Sequence, residues 1–159
     1  MKKTTQMAYG ALIAALYVVL TFVANILGLA NGAIQVRFSE ALTILPAFTP
    51  AAIPGLAVGC ALSNILTGCA LWDVVFGTLA TLIGAVLTRI IGKSNKFLAV
   101  IPPILANTLI IPFVLRFTYG VPEAMPYLFL TVCLGELISA GVLGSLLYKI
   151  LESKRDLFK

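Results

Sequence analysis

Histidine is absent from this chain, and only 11% of its 159 residues are charged. A soluble domain usually carries about 25% charged residues, so the deficit places the chain among integral membrane proteins. Without histidine it lacks the commonest general base and the commonest metal ligand. It contains neither GxxxxGK(S/T) nor GxGxxG, and so has no recognisable site for ATP or a dinucleotide. Any active transport must therefore draw its energy from an ion gradient or from another subunit.

Cysteine is also scarce. The three cysteines, Cys60, Cys69 and Cys133, form no CxxC motif and lie in or near apolar segments. We interpret them as small packing residues rather than as disulfide partners or metal ligands. No cofactor is expected.

Long apolar segments fill most of the chain, since 60% of its residues are hydrophobic. A helix needs about 20 residues to cross about 30 Å of hydrocarbon. We therefore predict one all-α integral membrane domain, a six-transmembrane-helix bundle with spans at about 7–28, 34–48, 52–69, 72–92, 97–117 and 125–148. The first segment exceeds the apolar core of a signal peptide, which is about 7–15 residues long.

The second and third segments are less regular than the others. Pro46, Pro50 and Pro54 crowd their connection, and proline removes a backbone donor and ends or kinks a helix. A turn near residues 46–52 is expected. The alternative is that the two segments form a broken or re-entrant pair.

Basic residues indicate the orientation of the predicted bundle. With six helices, both termini and the 46–51 and 89–96 connections lie on one side of the membrane. That side holds nine of the eleven basic residues, and the other holds only Arg37 and Arg116. Because cytoplasmic loops are enriched in lysine and arginine, we predict a multi-pass protein of the cell membrane with cytoplasmic termini. This topology explains the net charge of +5, and no nucleic-acid partner is expected.

Small residues recur at helical spacing in the later segments. Gly55 and Gly59 form a GxxxG pair, and Gly77, Ala80 and Gly84 share one face of the fourth segment. Helices in lipid pack through such small residues, so we expect these positions to make contacts within the bundle.

The first segment carries a stripe of small residues, formed by Ala8, Ala11 and Ala15. Gly10 and Ala14 lie beside it on the helix. The residues alone leave two alternatives equally open: the stripe packs within the bundle, or it faces a partner subunit.

Polar side chains within the apolar segments are few. Ionisable groups at such depth cost at least about 2.5–3.5 kcal/mol each, so they usually face a cavity or form pairs. Those in the outer third are Arg37, Glu40, Asn64, Trp72 and Asp73, and those near the midplane are Asn107 and Glu136. A channel needs polar lining along its full length. The distribution instead predicts a ligand pocket that opens to the outside and is closed toward the cytoplasm.

Structural roles are alternatives for most of these residues. Arg37 and Glu40 are three residues apart, so they share a helix face and could neutralise each other. Asp73 could be a helix N-cap, and the two asparagines could hydrogen-bond neighbouring helices. Glu136 is harder to explain in this way, because a lone carboxylate in mid-span needs a partner or a proton.

Five runs carry a resemblance that covers residues from about 7 to 148. They are "VRFSEALTILPAF", "GLAVGCALSNILTG", "WDVVFGTLATLIGA", "LANTLIIP" and "CLGELISAG". Together they resemble the QueT family of queuosine-precursor transporters. Members of that family look like substrate-binding S components of energy-coupling factor (ECF) transporters.

The resemblance implies a six-helix fold with cytoplasmic termini and a set of partner subunits. An S component binds a micronutrient near the outer face and docks on a transmembrane coupling subunit, which carries two ATPase subunits. In S components an Ala-x-x-x-Ala face of the first helix meets the coupling subunit. In this sequence that face maps to Ala11 and Ala15, extended by Ala8, so the resemblance favours an outward-facing stripe.

The resemblance also implies a ligand, since a queuosine base is a deazaguanine that often carries a cationic aminomethyl group. Its paired N–H and NH₂ edge suits a carboxylate, for which we expect Glu136 with Asn107 beside it. The amine is expected to meet Asp73 or Glu40. Arginine or an asparagine amide suits the carbonyl oxygen, and an aromatic face such as that of Trp72 suits the ring.

The loop "LANGAIQ", residues 29–35, is a candidate lid for this pocket. Gly28 and Gly32 would allow it to hinge.

Two other functions compete with the S-component hypothesis. A small proton-coupled secondary transporter of a micronutrient would use Glu136 as its proton carrier. A membrane enzyme, such as a lipid-modifying transferase, is disfavoured by the lack of histidine and of a clustered carboxylate motif.

Overall fold

The computed structural model describes residues 3–30, 34–92 and 98–154. Within these ranges the chain forms six helices. They are α1 (Lys3–Ile26), a 3₁₀ helix (Phe38–Ala47), α2 (Ala52–Leu66), α3 (Leu71–Ile91), α4 (Ile101–Phe117) and α5 (Met125–Glu152). Within α5, residues Leu137–Leu143 have π-helical hydrogen bonding.

Three of the helices, α1, α3 and α5, are long and apolar enough to cross a membrane. The helices α2 and α4 are apolar but shorter, with 15 and 17 residues. The predicted all-helical class is confirmed, and a helix lies near each predicted span. The fifth predicted span began at Phe97, which lies outside the described residues, and the observed helix begins at Ile101.

The second predicted span requires a correction. It was expected as an α-helix over 34–48, but the structure has a 3₁₀ helix of 10 residues. A 3₁₀ helix rises about 2.0 Å per residue, so this one is about 20 Å long. Pro46 has no backbone N–H and cannot donate the hydrogen bond of an α-helical turn. The Thr43 hydroxyl donates to the Glu40 carbonyl oxygen at 2.6 Å and so occupies a backbone acceptor.

The 3₁₀ helix forms the centre of the bundle and packs against α1, α2, α3 and α5. Eight of its residues are buried: Ser39, Glu40, Leu42, Thr43, Ile44, Leu45, Pro46 and Ala47. A helix that is apolar on nearly every side is stable only when surrounded by protein or lipid. Glu40, the acidic residue of this helix, is thereby held in the interior.

Glycines allow the closest helix contacts. A Cβ atom at Gly55 would lie 2.6 Å from the carbonyl oxygen of Gly10, and one at Gly84 would lie 2.8 Å from Cα of Pro103. Real Cβ atoms do not approach other atoms so closely, so α1 contacts α2, and α3 contacts α4, at backbone distance. The predicted packing roles of Gly55 and Gly84 within the bundle are confirmed.

Both ends of the described chain lie at the same end of the bundle, which we call the terminal end. Lys3 and Pro50 line one surface groove, and the rings of Phe48 and Tyr148 have centroids 4.8 Å apart. The segments around residues 3, 50 and 148 are therefore neighbours.

The opposite end, which we call the vestibule end, is formed by the turns that follow α1, α2 and α4. Each turn contains a glycine with positive φ: Gly28 at 71°, Gly68 at 76° and Gly120 at 64°. Glycine adopts this left-handed conformation without steric cost and commonly ends helices. Gly32, the other predicted hinge, lies outside the described residues.

Candidate functional site

A small internal cavity, which we call the chamber, lies beside the 3₁₀ helix. Its volume is about 40 Å³, and its polar lining includes Glu40, Thr81, Asn107, Thr131 and Glu136. Four of the predicted site residues therefore meet at one cavity: Arg37, Glu40, Asn107 and Glu136.

Glu40 is 3% exposed and is held by two hydrogen bonds from neighbouring helices. The Tyr17 hydroxyl on α1 donates to Glu40 Oε1. The Asn107 amide on α4 donates to Glu40 Oε2 at 3.4 Å. A buried carboxylate is tolerated when such donors replace its water, so Tyr17 and Asn107 fix the position of Glu40 in the chamber wall.

Glu136 differs from Glu40 because one of its oxygens lacks a partner. The side chain is 9% exposed, and among the described residues Oε2 has no hydrogen-bond donor. Glu136 is the last residue before the π-helical part of α5, a type of distortion that is frequent at functional sites. The chamber therefore contains a buried acceptor that is free to receive a ligand's N–H group.

Arg37 lies just before the 3₁₀ helix, with an extended backbone at φ −113° and ψ 110°. The spacing predicted that Arg37 and Glu40 share one helix face. Arg37 lies outside the helix, so this prediction is wrong. Its guanidinium donates to Gln35 Oε1 at 3.4 Å, and its backbone N–H donates to Ser139 Oγ at 3.0 Å. The two charges thus have different hydrogen-bond partners.

A larger cavity opens at the vestibule end, and we call it the vestibule. It has a volume of about 740 Å³ and is lined by residues that include Phe22, Asn25, Arg37, Asn64, Asp73 and Tyr119. Pockets for small molecules usually have volumes of about 300–1,000 Å³. The vestibule is large enough for a bicyclic ligand, whereas the chamber has little more than the share of one liquid water, about 30 Å³.

Gln35 and Arg37, with Ile111 and Leu115, line both the chamber and the vestibule. The segment that carries the first two residues packs directly on α5, because a side chain at Gly135 would collide with the Gln35 carbonyl oxygen. These residues form the boundary between the two cavities.

Asp73 lies on the vestibule side of α3 and is 5% exposed. Its Oδ2 accepts a hydrogen bond from the Tyr119 hydroxyl at 2.8 Å. Ala70 occupies the N-cap position of α3, which has no side-chain cap, so Asp73 is not the N-cap that was considered as an alternative. The Asn64 amide lies 3.5 Å from the Asp73 carbonyl and links α2 to α3, as the structural alternative expected.

Trp72 is the predicted site residue that lines neither cavity. It is 58% exposed, and its ring stacks on Phe76 with centroids 5.8 Å apart. Both rings line an apolar groove between α3 and α4 instead. Adjacent residues of a helix point in different directions, so Asp73 and Trp72 do not face the same pocket.

The two sets of small residues on α1 face different ways. Gly10 and Ala14 pack against α2 near Gly55 and Gly59. The stripe of Ala8, Ala11 and Ala15 is exposed on the surface of the described chain.

No metal site is formed by three or more histidine, cysteine, aspartate or glutamate side chains within residues 3–30, 34–92 and 98–154. Cys60 is buried beside the chamber, and Cys69 and Cys133 are partly buried; all three are free thiols.

The sequence model of QueT transporters matches residues 7–153, which is nearly the whole chain. The chain belongs to the QueT transporter family. A relative from Lactococcus lactis subsp. cremoris (strain MG1363), the queuosine precursor transporter QueT, is 38% identical over 82 residues. That match covers 51% of this chain and 47% of the relative, so the chain spans about half the length of its curated relative. No solved structure matches the chain.

Membership of the QueT transporter family confirms the resemblance that the five sequence runs carry. The family and the relative are described as transporters and not as enzymes. The apolar helices α1, α3 and α5 agree with a membrane location.

Several residues of this candidate site were missed by the sequence analysis. Tyr17 contacts Glu40, Tyr119 contacts Asp73, and Ser139 contacts Arg37. Tyr17 had a usable signal, because it lies one turn before Thr21 on an otherwise apolar helix. Tyr119 lies in a turn, where helical periodicity gives no information on direction.

Proposed function

We propose that the chain is the substrate-binding S component of an ECF-type importer. It captures a queuosine precursor, queuine or a related deazaguanine base, from outside the cell. A transmembrane coupling subunit and two ATPase subunits then drive uptake with ATP. The ligand class is that named for the Lactococcus lactis relative, a queuosine precursor transporter.

One observation carries this proposal: the partnerless Oε2 of Glu136 in a chamber that adjoins an open vestibule. A buried acceptor without a donor costs about 1–3 kcal/mol, and a donor from a ligand would remove that cost. The paired N–H and NH₂ edge of a deazaguanine is such a donor, and Asn107 lies beside it to accept or donate a further bond.

The remaining groups of the ligand have partners in the vestibule. Arg37 would bind the carbonyl oxygen of the base, and Asp73 would bind its amine. Phe22 and Tyr119 line the vestibule and offer aromatic faces to the ring, in place of Trp72. Since the chamber holds only about 40 Å³, the boundary residues Gln35 and Arg37 must move apart for the base to reach Glu136.

We further propose that six helices cross the cell membrane, with both termini in the cytoplasm. In support, Lys3, Arg89, Lys149 and Lys154 belong to the terminal end, whereas the vestibule opens at the other end. Green fluorescent protein fused after residue 154 should fluoresce, and alkaline phosphatase fused there should be inactive. The reverse pattern would contradict this orientation.

The exposed stripe of Ala8, Ala11 and Ala15 would dock on the coupling subunit. Ala15→Leu should prevent co-purification with that subunit and leave ligand binding unchanged, because bulk at the stripe keeps the helices apart. Val86→Leu, at an exposed position on α3, is the control. Co-purification of both variants at the wild-type level would contradict docking at the stripe.

The test of the function has two steps. Mass spectrometry of small molecules released from the purified, denatured chain should detect a deazaguanine base. Uptake of that base by cells should then require the ATPase subunits. A different class of molecule would overturn the ligand, and uptake without ATPase subunits would overturn the mechanism.

The buried, partnerless Oε2 of Glu136 also suits a proton carrier, which makes a proton-coupled secondary transporter the second candidate. This mechanism predicts that an uncoupler abolishes uptake while ATP is maintained. An S component would continue uptake under the same condition.

A further inference from the structure

The turn after α4 folds back toward the start of α3. Gly120, with φ at 64°, reverses the chain. The N–H of Val121 donates to the Leu115 carbonyl at 3.2 Å, and the Arg116 guanidinium donates to the Val121 carbonyl at 2.9 Å. The turn is thus held at both sides of Tyr119.

The Tyr119 hydroxyl makes two hydrogen bonds to the first turn of α3. It donates to Asp73 Oδ2 at 2.8 Å and accepts from the Ala70 N–H at 3.1 Å. The Ala70 N–H occupies a lone pair of the hydroxyl oxygen, so the hydroxyl hydrogen points toward Asp73. Tyr119 therefore holds the Asp73 carboxylate in one orientation at the wall of the vestibule.

Two features suit this carboxylate to a cationic ligand group. It is 5% exposed, so few waters compensate its charge, and it lies in the first turn of α3, where the helix dipole favours a negative charge. Burial and the neighbouring Asp73 carboxylate raise the pKa of Tyr119, so its hydroxyl remains a donor at physiological pH. A carboxylate accepts up to about four hydrogen bonds, of which Tyr119 supplies one.

We propose that Tyr119 is a specificity-determining residue that positions Asp73 to bind the cationic substituent of the ligand. The Tyr119–Asp73 contact then favours a base that carries an amine over a neutral base of the same shape. This inference rests on the proposed function, since the base itself binds at Glu136 and only its substituent reaches Asp73.

The test compares two probes on the purified full chain by calorimetry. One is a deazaguanine with an aminomethyl substituent, and the other is the same base with an ethyl group, which has the same shape without the charge. Tyr119→Phe removes the hydrogen bond that orients Asp73. Binding of the aminomethyl base should weaken by on the order of tenfold, because Asp73 no longer accepts a well-aligned, charge-assisted hydrogen bond from the amine. Binding of the ethyl base should not change. Tyr127→Phe, an exposed tyrosine at the start of α5, is the matched control and should change neither.

A double-mutant cycle with Asp73→Asn separates positioning from an independent effect. Asp73→Asn alone should remove the preference for the aminomethyl base, and Tyr119→Phe added to it should have no further effect on that preference.

Each other outcome overturns the proposal. Equal losses for both probes in Tyr119→Phe would assign the residue a purely structural role, and no loss would remove it from the site. Additive effects in the cycle would show that Tyr119 does not act through Asp73. If the wild-type chain binds neither base, the proposed function is overturned and this inference with it.

Discussion

The two ends of the bundle are held together in different ways. At the terminal end, side chains donate hydrogen bonds to backbone carbonyls. Arg89 donates to Pro46 at 3.0 Å and to Ala47 at 3.4 Å. Thr88 donates to Ala99 at 3.0 Å. At the vestibule end, polar side chains surround a cavity of about 740 Å³. Substitutions at the terminal end should therefore change the free energy of unfolding, and those around the cavities should change ligand affinity.

Hydrogen-bond pairing explains this difference. Arg89 and Thr88 find acceptors where the 3₁₀ helix ends and α4 begins, and a cation near a helix C-terminus also interacts favourably with the helix dipole. In contrast, Glu136 Oε2, in the chamber that adjoins the vestibule, is buried without a donor among the described residues. Proteins accept such local costs at functional sites when the rest of the fold compensates them.

Glu136→Gln should have the largest effect on affinity. The amide offers one acceptor oxygen instead of two, and its NH₂ group would face an N–H of the base. Affinity should therefore fall on the order of 100-fold, because one charge-assisted hydrogen bond is lost and the other loses its charge. The thermal midpoint should stay the same or rise, because a buried carboxylate without a full set of partners has been removed. Calorimetric titration and thermal unfolding measure the two effects.

Glu123→Gln, an exposed residue between α4 and α5, is the control for this change. It should alter neither affinity nor thermal midpoint. Unchanged affinity in Glu136→Gln would remove Glu136 from the site, and a large fall in the midpoint would show that it is a structural residue.

Much of the chamber was predictable from sequence because polar groups in apolar helices are stable only where they face a cavity or other polar groups. Glu40, Asn107 and Glu136 come from three segments far apart in the chain, yet all three line one cavity. Burial in lipid disfavours each of them, so a shared polar interior was expected. A helix lies near each predicted span because long apolar runs favour membrane-spanning helices, although the second of these is a 3₁₀ helix.

Other features depend on contacts that periodicity does not report. The 3₁₀ helix replaces an α-helix because Pro46 and the Thr43 hydroxyl change its hydrogen bonding. The π-helical part of α5 had no sequence signal. The position of Trp72 outside both cavities could have been predicted, because adjacent residues of a helix do not face the same way as each other.

Two glycines on α2 test whether helix packing and ligand binding depend on different residues. A Cβ atom at Gly55 would meet Gly10, whereas one at Gly59 would lie 2.7 Å from Cβ of Tyr17, the partner of Glu40. Each alanine substitution should lower the free energy of unfolding by about 1–3 kcal/mol through overpacking. Only Gly59→Ala should also weaken ligand binding, by about threefold to tenfold, because it displaces a donor to Glu40.

Denaturant titration and calorimetry check this pair of variants. Val58→Ile adds one methylene at an exposed position of the same helix and should leave both quantities unchanged. Equal losses of affinity in Gly55→Ala and Gly59→Ala would show that the chamber senses α1–α2 packing as a whole, and the boundary between the two regions would then not exist.

The smallest expected effects come from Arg89 and Arg116, which donate to backbone carbonyls at opposite ends. Arg89→Gln should lower the free energy of unfolding by about 1 kcal/mol, the net value of such a bond, and leave ligand affinity unchanged. Arg116→Gln removes the contact to Val121 that holds the exposed turn beside Tyr119. Since surface substitutions usually change stability by less than about 0.5 kcal/mol, it should lower only the preference for an aminomethyl base, by about twofold. Calorimetry with the aminomethyl and ethyl bases measures that preference. The terminal end is expected to stabilise the fold and the vestibule end to recognise the ligand. This division would be contradicted if Arg89→Gln lowered the ligand preference and Arg116→Gln lowered the free energy of unfolding.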